Sequence, residues 1–357
     1  MRRVSPGACR EAGVGLSAGD QVIEVRDLTK RYGELVAVEA ITFTVARGEV
    51  FGILGPNGAG KTTTLEMVEG LRKPDGGTIA VDGLPVWPDP APVKRRIGVQ
   101  LQATALFEYQ KLWEIIYVFG SSYGLRRSRN ECVALLDRVG LHDKADAYVR
   151  ELSGGQAQRL SIALALVNDP VVTFLDEPTT GLDPRARRAL WDVIREINRT
   201  GTTVVLTTHY MEEAERLCER VAVMDLGRIM ALDTPRALIN RLGAEATITF
   251  TLSDPVPLAT LCALEGATDC HAAEEEGYTV VATDAQRTVV SLLDMAARDG
   301  LTVRNLDVKG ADLEDVFLHM TGRKLADDED GSSAGEGAEA GRARRRRSRF
   351  GLGRRRA

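Results

Sequence analysis

Residues 55–63 read Gly-Pro-Asn-Gly-Ala-Gly-Lys-Thr-Thr, and few stretches so short restrict a fold so tightly. Ahead of them, Val50-Phe51-Gly52-Ile53-Leu54 is an apolar run that reads as a buried strand, and behind them Thr62 to Val68 begins a helix. A strand and a helix joined by such a loop match the G-x4-G-K-[ST] pattern in its proper setting. The glycines let the loop turn tightly, so that successive backbone N–H groups face inward toward phosphate oxygens. The helix N-terminus adds partial positive charge. The run Gly55, Pro56, Asn57, Gly58, Ala59, Gly60, Lys61, Thr62 and Thr63 is therefore expected to hold a nucleotide triphosphate. Lys61 is expected to reach the β- and γ-phosphates, and the Thr62 hydroxyl to ligate Mg2+. The plain alternative, a glycine-rich turn, is weakened by the strand–loop–helix placement.

A second apolar run, Val171-Val172-Thr173-Phe174-Leu175, ends in Asp176-Glu177. In an α/β sheet, ligand chemistry gathers at the C-terminal ends of strands. Asp176 suits Mg2+ held through water, and Glu177 suits a general base that polarises attacking water. Pro178 to Pro184 follows, then a further strand from Thr203 to Thr208 that closes on His209. A lone histidine is usually structural, but one at a strand end after an acidic pair is expected to sense the γ-phosphate. Between these elements stands Leu152-Ser153-Gly154-Gly155-Gln156.

With these motifs in order, residues 22–242 resemble the nucleotide-binding domain of ATP-binding-cassette (ABC) transporters. The resemblance implies an α/β P-loop NTPase with a RecA-like core, a helical subdomain and an antiparallel β subdomain, and it implies ATP hydrolysis with Mg2+. It further implies that Tyr32 stacks on adenine and that Gln102 contacts Mg2+ and senses the transmembrane partner. Ser153, Gly154, Gly155 and Gln156 match the family signature, which in the family serves the nucleotide of a facing chain. Asp183 matches the dimer-contact aspartate, and His209 the switch histidine. One signature and one phosphate loop per chain therefore imply a head-to-tail dimer, either a homodimer or a dimer with a similar ATPase. The chain departs from the family where Glu108 to Trp113 replaces a common Leu-Thr-Val stretch, in the region that receives the membrane partner.

The 357-residue chain is 44% hydrophobic, so it can bury a large core, and a cassette of ~220 residues leaves room for another module. Its organisation is expected to be a disordered leader (1–21), the cassette (22–244), an α+β accessory domain (245–323) and disordered acidic and Arg-rich tails (324–357). The five cysteines, Cys9, Cys132, Cys218, Cys262 and Cys270, are odd in number and scattered, which suits reduced thiols in a cytosol. Cys262, Cys270 and His271 lack a fourth ligand for a zinc site. No apolar run reaches the ~20 residues of a membrane span, and residues 1–20 have no apolar signal core. The expected location is cytoplasmic, peripheral on the inner face of the cell membrane.

Beyond the cassette, the pattern predicts a strand at Ala246–Leu252, a helix at Leu258–Leu264, strands at Thr268–Ala272 and Tyr278–Ala282, a helix at Ala285–Arg298 and a strand at Leu301–Val308. The order β-α-β-β-α-β is that of a ferredoxin-like unit. A helical stripe of Leu313, Val316, Phe317 and Met320 follows, closed by Gly322. The run Leu313 to Arg323 resembles the daunorubicin/doxorubicin-resistance branch of the family, whose ATPase subunits pair with a separate ABC-2-type integral membrane permease. That branch implies export of a drug or other hydrophobic compound. The alternatives are an importer's ATPase and a non-transport ABC ATPase.

Two surface features remain. Nine arginines crowd residues 342–357 of a chain whose formal net charge is −5. A solvated tail, an anchor to anionic lipid and nucleic-acid binding all fit such a run; the last ranks lowest because no recognised nucleic-acid-binding fold accompanies the charges. Phe107, Tyr109, Trp113, Tyr117, Phe119 and Tyr123 cluster in a chain only 5% aromatic. Core packing is expected to account for most of them, with one or two near Glu108–Trp113 touching the permease.

Overall fold

The computed structural model describes residues 21–100, 107–241, 246–272 and 277–321. The first hairpin, β1 (Gln21–Tyr32) and β2 (Leu35–Ala46), leads into β3 (Val50–Leu54) and then α1 (Lys61–Val68). Next come β4 (Gly76–Val81), β5 (Leu84–Pro85), α2 (Ala91–Lys94) and β6 (Ile97–Val99). Three helices follow, α3 (Leu112–Ser122), α4 (Arg129–Arg138) and α5 (Gly154–Ala165). The chain then runs through β7 (Val172–Asp176), α6 (Pro184–Arg199), β8 (Thr203–Thr208), α7 (Met211–Leu217), β9 (Arg220–Asp225), β10 (Arg228–Asp233) and α8 (Pro235–Arg241).

These strands form two layers. An antiparallel sheet has the order β2-β1-β4-β5, and a six-stranded sheet the order β10-β9-β3-β8-β7-β6. In the larger sheet β9, β3, β8, β7 and β6 run parallel, and only β10 pairs antiparallel at the edge. A parallel sheet is covered on both faces, so its strands are apolar throughout. Every residue of β3 and β8 is buried accordingly. Alternate side chains separate the two cores. Phe51, Ile53, Phe174 and Val205 join the cluster beneath the antiparallel sheet. Val50, Leu54, Leu175, Val204 and Leu206 join the cluster beneath the helices.

The remaining elements are β11 (Ala246–Leu252), α9 (Leu258–Cys262), β12 (Ala267–Ala272), β13 (Gly277–Ala282), α10 (Ala285–Asp299), β14 (Val303–Lys309) and α11 (Leu313–Thr321). The strands form a separate sheet, β12-β13-β11-β14, antiparallel throughout. Ile248, Phe250, Val280, Leu292 and Met295 build its own small core. α11 does not belong to that core. Its Leu313, Val316 and Phe317 are buried in the large cassette cluster with Ala214, Leu217 and Leu238. The Leu313 N–H donates to Glu215 Oε1 of α7 at 2.7 Å.

Two expectations change. The α11 stripe, within the 245–323 stretch expected to be the accessory unit, packs on the cassette. Cys262 of α9 and Cys270 of β12 form a disulfide, with Cα atoms 5.6 Å apart, so they are not reduced thiols. Cys132 and Cys218 are free and buried, and Cys9 lies outside the described residues. Core packing does not take most of the clustered aromatics: Trp113 and Phe119 pack against the core, but Phe107, Tyr109, Tyr117 and Tyr123 are exposed. The readings for Gln102, residues 1–20 and residues 322–357 fall outside the described residues.

Because Phe317 is fully buried in the cassette's core, Phe317→Ala should cost about 3–5 kcal/mol. Urea unfolding followed by tryptophan fluorescence checks this: all three tryptophans precede the accessory sheet in sequence, so the loss should appear in the cassette transition.

Candidate nucleotide site

β3, β8 and β7 are neighbours in the sheet, and their C-terminal ends come side by side. Leu54 pairs with Thr208, and Thr207 with Asp176. This register sets the phosphate loop, the acidic pair and His209 around one spot. The loop is locked to the strands behind it. Gly55 N–H donates to Thr208 O at 3.3 Å, and Gly227 N–H to Ala59 O at 3.0 Å. A Cβ on Gly55 would stand 2.2 Å from Met224 O, so a side chain there would force β9 away. Gly60 has φ +100°, the left-handed region that glycine occupies without cost, and its Cβ would meet Ala37 O at 2.5 Å. Pro56 O accepts the Ala59 N–H at 3.1 Å. Asn57, Gly58 and Thr62 are exposed and Thr63 half-buried.

Lys61 is only 4% exposed. Its Nζ donates to Gly55 O at 2.8 Å and to Pro56 O at 3.1 Å, and lies 3.2 Å from Glu177 Oε1. Thr62 Oγ1 is 3.3 Å from Asp176 Oδ1. These are hard oxygen donors at a helix N-terminus, the donor chemistry that suits Mg2+ beside phosphates. Glu177 sits at φ +44°, a strained conformation for a side-chain-bearing residue that is common at functional sites. Its Oε2 accepts the Thr180 hydroxyl at 3.2 Å.

His209 Nδ1 stands 3.3 Å from Glu177 Oε2, although off good hydrogen-bond geometry. The pair's proximity holds: His209 first, then Lys61, brings the Glu177 carboxyl down to about 2 against the opposing effect of burial. Glu177 is thus a carboxylate throughout the neutral range, with the Lys61 ammonium and the His209 ring both against it.

The other expected residues stand apart from this cluster. Ser153 N-caps α5, and its backbone N–H donates to Gln156 Oε1 at 3.0 Å in a reciprocal capping box. Ser153 and Gly154 are exposed, while Gly155 backs onto Ala186 of α6. Asp183 N-caps α6, accepting from Arg185 and Ala186 N–H groups at 2.9 Å. Tyr32, 41% exposed, lies under the guanidinium of Arg72 at 5.4 Å. Gln102 lies outside the described residues; its neighbour Gln100 is anchored through its N–H to Phe174 O at 2.9 Å.

The comparisons with known proteins bear directly on this geometry. A family model described as ABC transporter matches residues 38–180. The Nod factor export ATP-binding protein I of Ralstonia nicotianae is 40% identical over 312 residues, 86% of this chain and 95% of that protein. The chain belongs to the ABC transporter family. The linearmycin resistance ATP-binding protein LnrL of Bacillus subtilis is 35% identical over 311 residues, covering 86% of this chain and all of that protein, 100%. Among solved structures, an ATP-binding cassette in a dimeric post-hydrolysis state, bound to ADP and Pi, is 27% identical with a TM-score of 0.53. That likeness covers 59% of this chain and 98% of the other. This ABC protein is accordingly an ATP-binding subunit with ATPase chemistry, and cassettes of its family dimerise. No helix among its described residues is long and apolar enough to cross a membrane.

Several residues of this ABC cassette escaped sequence reasoning. Thr207 is fully buried; its hydroxyl donates to Asp176 Oδ1 and accepts the Glu177 N–H at 3.0 Å. It thus orients both members of the acidic pair. Its signal was the Thr-Thr-His strand end. Gln158 of α5 donates through Nε2 to Pro178 O at 2.6 Å, tying the signature helix to the segment after Glu177. Glu69, at the end of α1, is 4% exposed, and burial, reinforced by Asp176 and Glu66, pushes its carboxyl up to about 8.

A raised carboxyl pKa means that the folded state binds a proton the unfolded chain has lost. Stability should therefore fall relative to Glu69→Gln as pH rises from about 4.5 to about 8, with a plateau above. Thermal unfolding of both proteins across that range should show the gap opening in favour of the glutamine variant, to a few kcal/mol. A constant gap would contradict the burial of an unpaired carboxyl.

Proposed function

We propose that this chain is the ATP-hydrolysing motor of an exporter, working as a homodimer on the inner face of the membrane with a separate ABC-2-type permease. The observation that carries the hydrolytic part is the meeting of Lys61, Asp176, Glu177 and His209 at three adjacent strand ends. For export, the support is that likeness to the Nod factor and linearmycin proteins runs through the accessory module as well as the cassette. A drug or other hydrophobic compound is the cargo class that fits those names. The accessory sheet, with its order β12-β13-β11-β14 and two helices, fits a ferredoxin-like unit.

In this reading the triphosphate takes Lys61 from Glu177. The exchange removes the ammonium that helps hold the carboxylate down, so Glu177 becomes a better proton acceptor as substrate arrives. Water oxygen then forms a bond to the γ-phosphorus while the bond to the β–γ bridging oxygen breaks, and the water proton passes toward Glu177. His209 stays beside Oε2 to orient the carboxylate and contact the γ-phosphate. Thr62, Asp176 and Gln102 are the residues that would hold Mg2+, which when bound neutralises charge on the phosphate oxygens. Tyr32 would stack on adenine. Ser153, Gly154, Gly155 and Gln156 at the start of α5, the first two exposed and the last two half-buried, would complete the site of the facing chain, with Asp183 at the dimer contact. The exposed Phe107 and Tyr109 fit the permease contact, and the Arg-rich residues 342–357 fit anionic lipid.

Glu177→Gln should lower kcat by about 100-fold or more while leaving ATP affinity intact, as read by steady-state turnover and equilibrium nucleotide binding. The same variant loaded with ATP should sediment as a dimer. Turnover near that of the unaltered protein would remove Glu177 from its role. A monomer even in the presence of the permease would remove the shared site. Deleting residues 342–357 should weaken the salt-sensitive binding to vesicles of anionic lipid, each basic residue near the surface contributing about 1 kcal/mol; unchanged binding would leave the tail without that role.

A further inference from the structure

Glu213 lies on α7, one helical turn beyond His209, and its side chain is wholly buried. Its Oε1 accepts the indole N–H of Trp191, on α6, at 3.0 Å. Two threonine hydroxyls flank the rest of the carboxyl. Burial raises its pKa, and Thr208, Trp191 and Thr179 act against that by hydrogen bonding. Yet neither hydroxyl reaches good geometry with Oε2, and Oε2 and Thr179 Oγ1 both lack a well-formed partner. The threonines are near enough to act on the carboxyl, but the bond to Thr179 is not closed.

The neighbours give this carboxyl its interest. Thr208 immediately precedes His209, its hydroxyl accepts the Tyr210 N–H at 2.9 Å, and its carbonyl accepts the Gly55 N–H. Thr179 is buried two residues beyond Glu177, and its carbonyl accepts the Leu182 N–H at 3.2 Å, just ahead of Asp183. Trp191 belongs to the helix that Asp183 caps. One carboxyl therefore stands where the segments bearing the base, the switch histidine and the first phosphate-loop glycine meet. A group that only filled core volume would be better served by an apolar side chain, because a buried carboxyl without full pairing is costly. Two adjacent unmatched oxygens, each costing about 1–3 kcal/mol, favour a second arrangement in which they bond to each other.

We propose that Glu213 is a positioning residue for ATP hydrolysis: its carboxyl clasps Thr179, behind Glu177, to Thr208, ahead of His209, and so holds base and switch histidine together over the γ-phosphate. The inference rests on the roles of Glu177 and His209 proposed above. Closing the Oε2–Thr179 bond draws the Glu177–Thr180 turn toward the end of β8 and leaves the phosphate loop where it is. Loss of the clasp should thus slow turnover without weakening nucleotide binding.

The test uses the full chain, with ATP turnover and equilibrium ATP binding measured for Glu213→Ala, Glu213→Gln and Thr179→Val. Glu213→Ala and Thr179→Val should each lower kcat about tenfold or more, with ATP affinity within about twofold. Glu213→Gln keeps an acceptor for Trp191 and offers an N–H to Thr179, so it should stay within about threefold of the unaltered protein. The double variant Glu213→Ala/Thr179→Val should be no slower than the worse single variant, as for groups acting as a unit. Should Glu213→Ala fail to fold, Glu213→Gln and the volume-conserving Thr179→Val decide the matter. Unaltered kcat in Thr179→Val, a glutamine variant that restores nothing, or kcat and affinity falling together would overturn the proposal. Glu177→Gln assayed alongside separates the two readings: if it turns over normally the base assignment fails, whatever the Glu213 series does.

Discussion

The parallel register of β3, β8 and β7 is the constraint on which the site depends. Each strand is buried on both faces, and neighbouring backbones are hydrogen bonded, so none can slip by one residue without turning core side chains to the wrong layer. With Leu54 opposite Thr208 and Asp176 opposite Thr207, the loop after β3, the carboxylates after β7 and the histidine after β8 emerge at one level. The two hydrophobic clusters on either side of the sheet therefore fix the geometry of Lys61, Asp176, Glu177 and His209 without contributing a polar atom to it.

Charge placement then follows from that level. Lys61 has left water almost completely, and a buried ammonium needs compensation. It finds two loop carbonyls and the carboxylate of Glu177. The same carboxylate also faces His209. A residue with a positive φ, an ammonium and an imidazole against its carboxylate and a strongly lowered pKa is held by its surroundings rather than by its own preferences. Thr207 adds the restraint that the neighbouring strand alone can supply, gripping Asp176 and the Glu177 backbone with one hydroxyl.

The parts of this site that were legible in the sequence are those whose chemistry is local. The loop between β3 and α1 declares itself because glycine positions, lysine and the helix start are contiguous, and β7 and β8 because apolar runs end on titratable residues. Thr207, Gln158 and Glu213 were not legible, since each meets its partner far away in sequence, and neither was Glu69, whose carboxyl is set by burial. The same reason hid the disulfide: Cys262 and Cys270 become neighbours only when α9 folds onto β12. The exposed Tyr109 misled for another reason. Aromatic rings usually carry apolar area into a core, but Arg150 lies 5.0 Å from the Tyr109 ring and 5.4 Å from the Tyr148 ring, a cationic contact that keeps such rings at the surface.

The helical stripe of α11 shows how far periodicity reaches. It predicted the face correctly, with Leu313, Val316 and Phe317 buried, but an amphipathic pattern names no partner. Packing on α7 and α8 makes α11 the closing element of the cassette, so the accessory sheet sits as an insertion between two helices of one core. Both ends of the insertion are thereby anchored, which limits the entropic cost of carrying it to that of closing a loop, a term that grows only slowly with length. The anchoring is also specific: Glu215, whose carboxyl burial shifts upward, accepts the first N–H of α11 from the same short helix that holds Glu213. One face of α7 thus secures the accessory unit's return to the cassette, while another reaches Trp191 of α6.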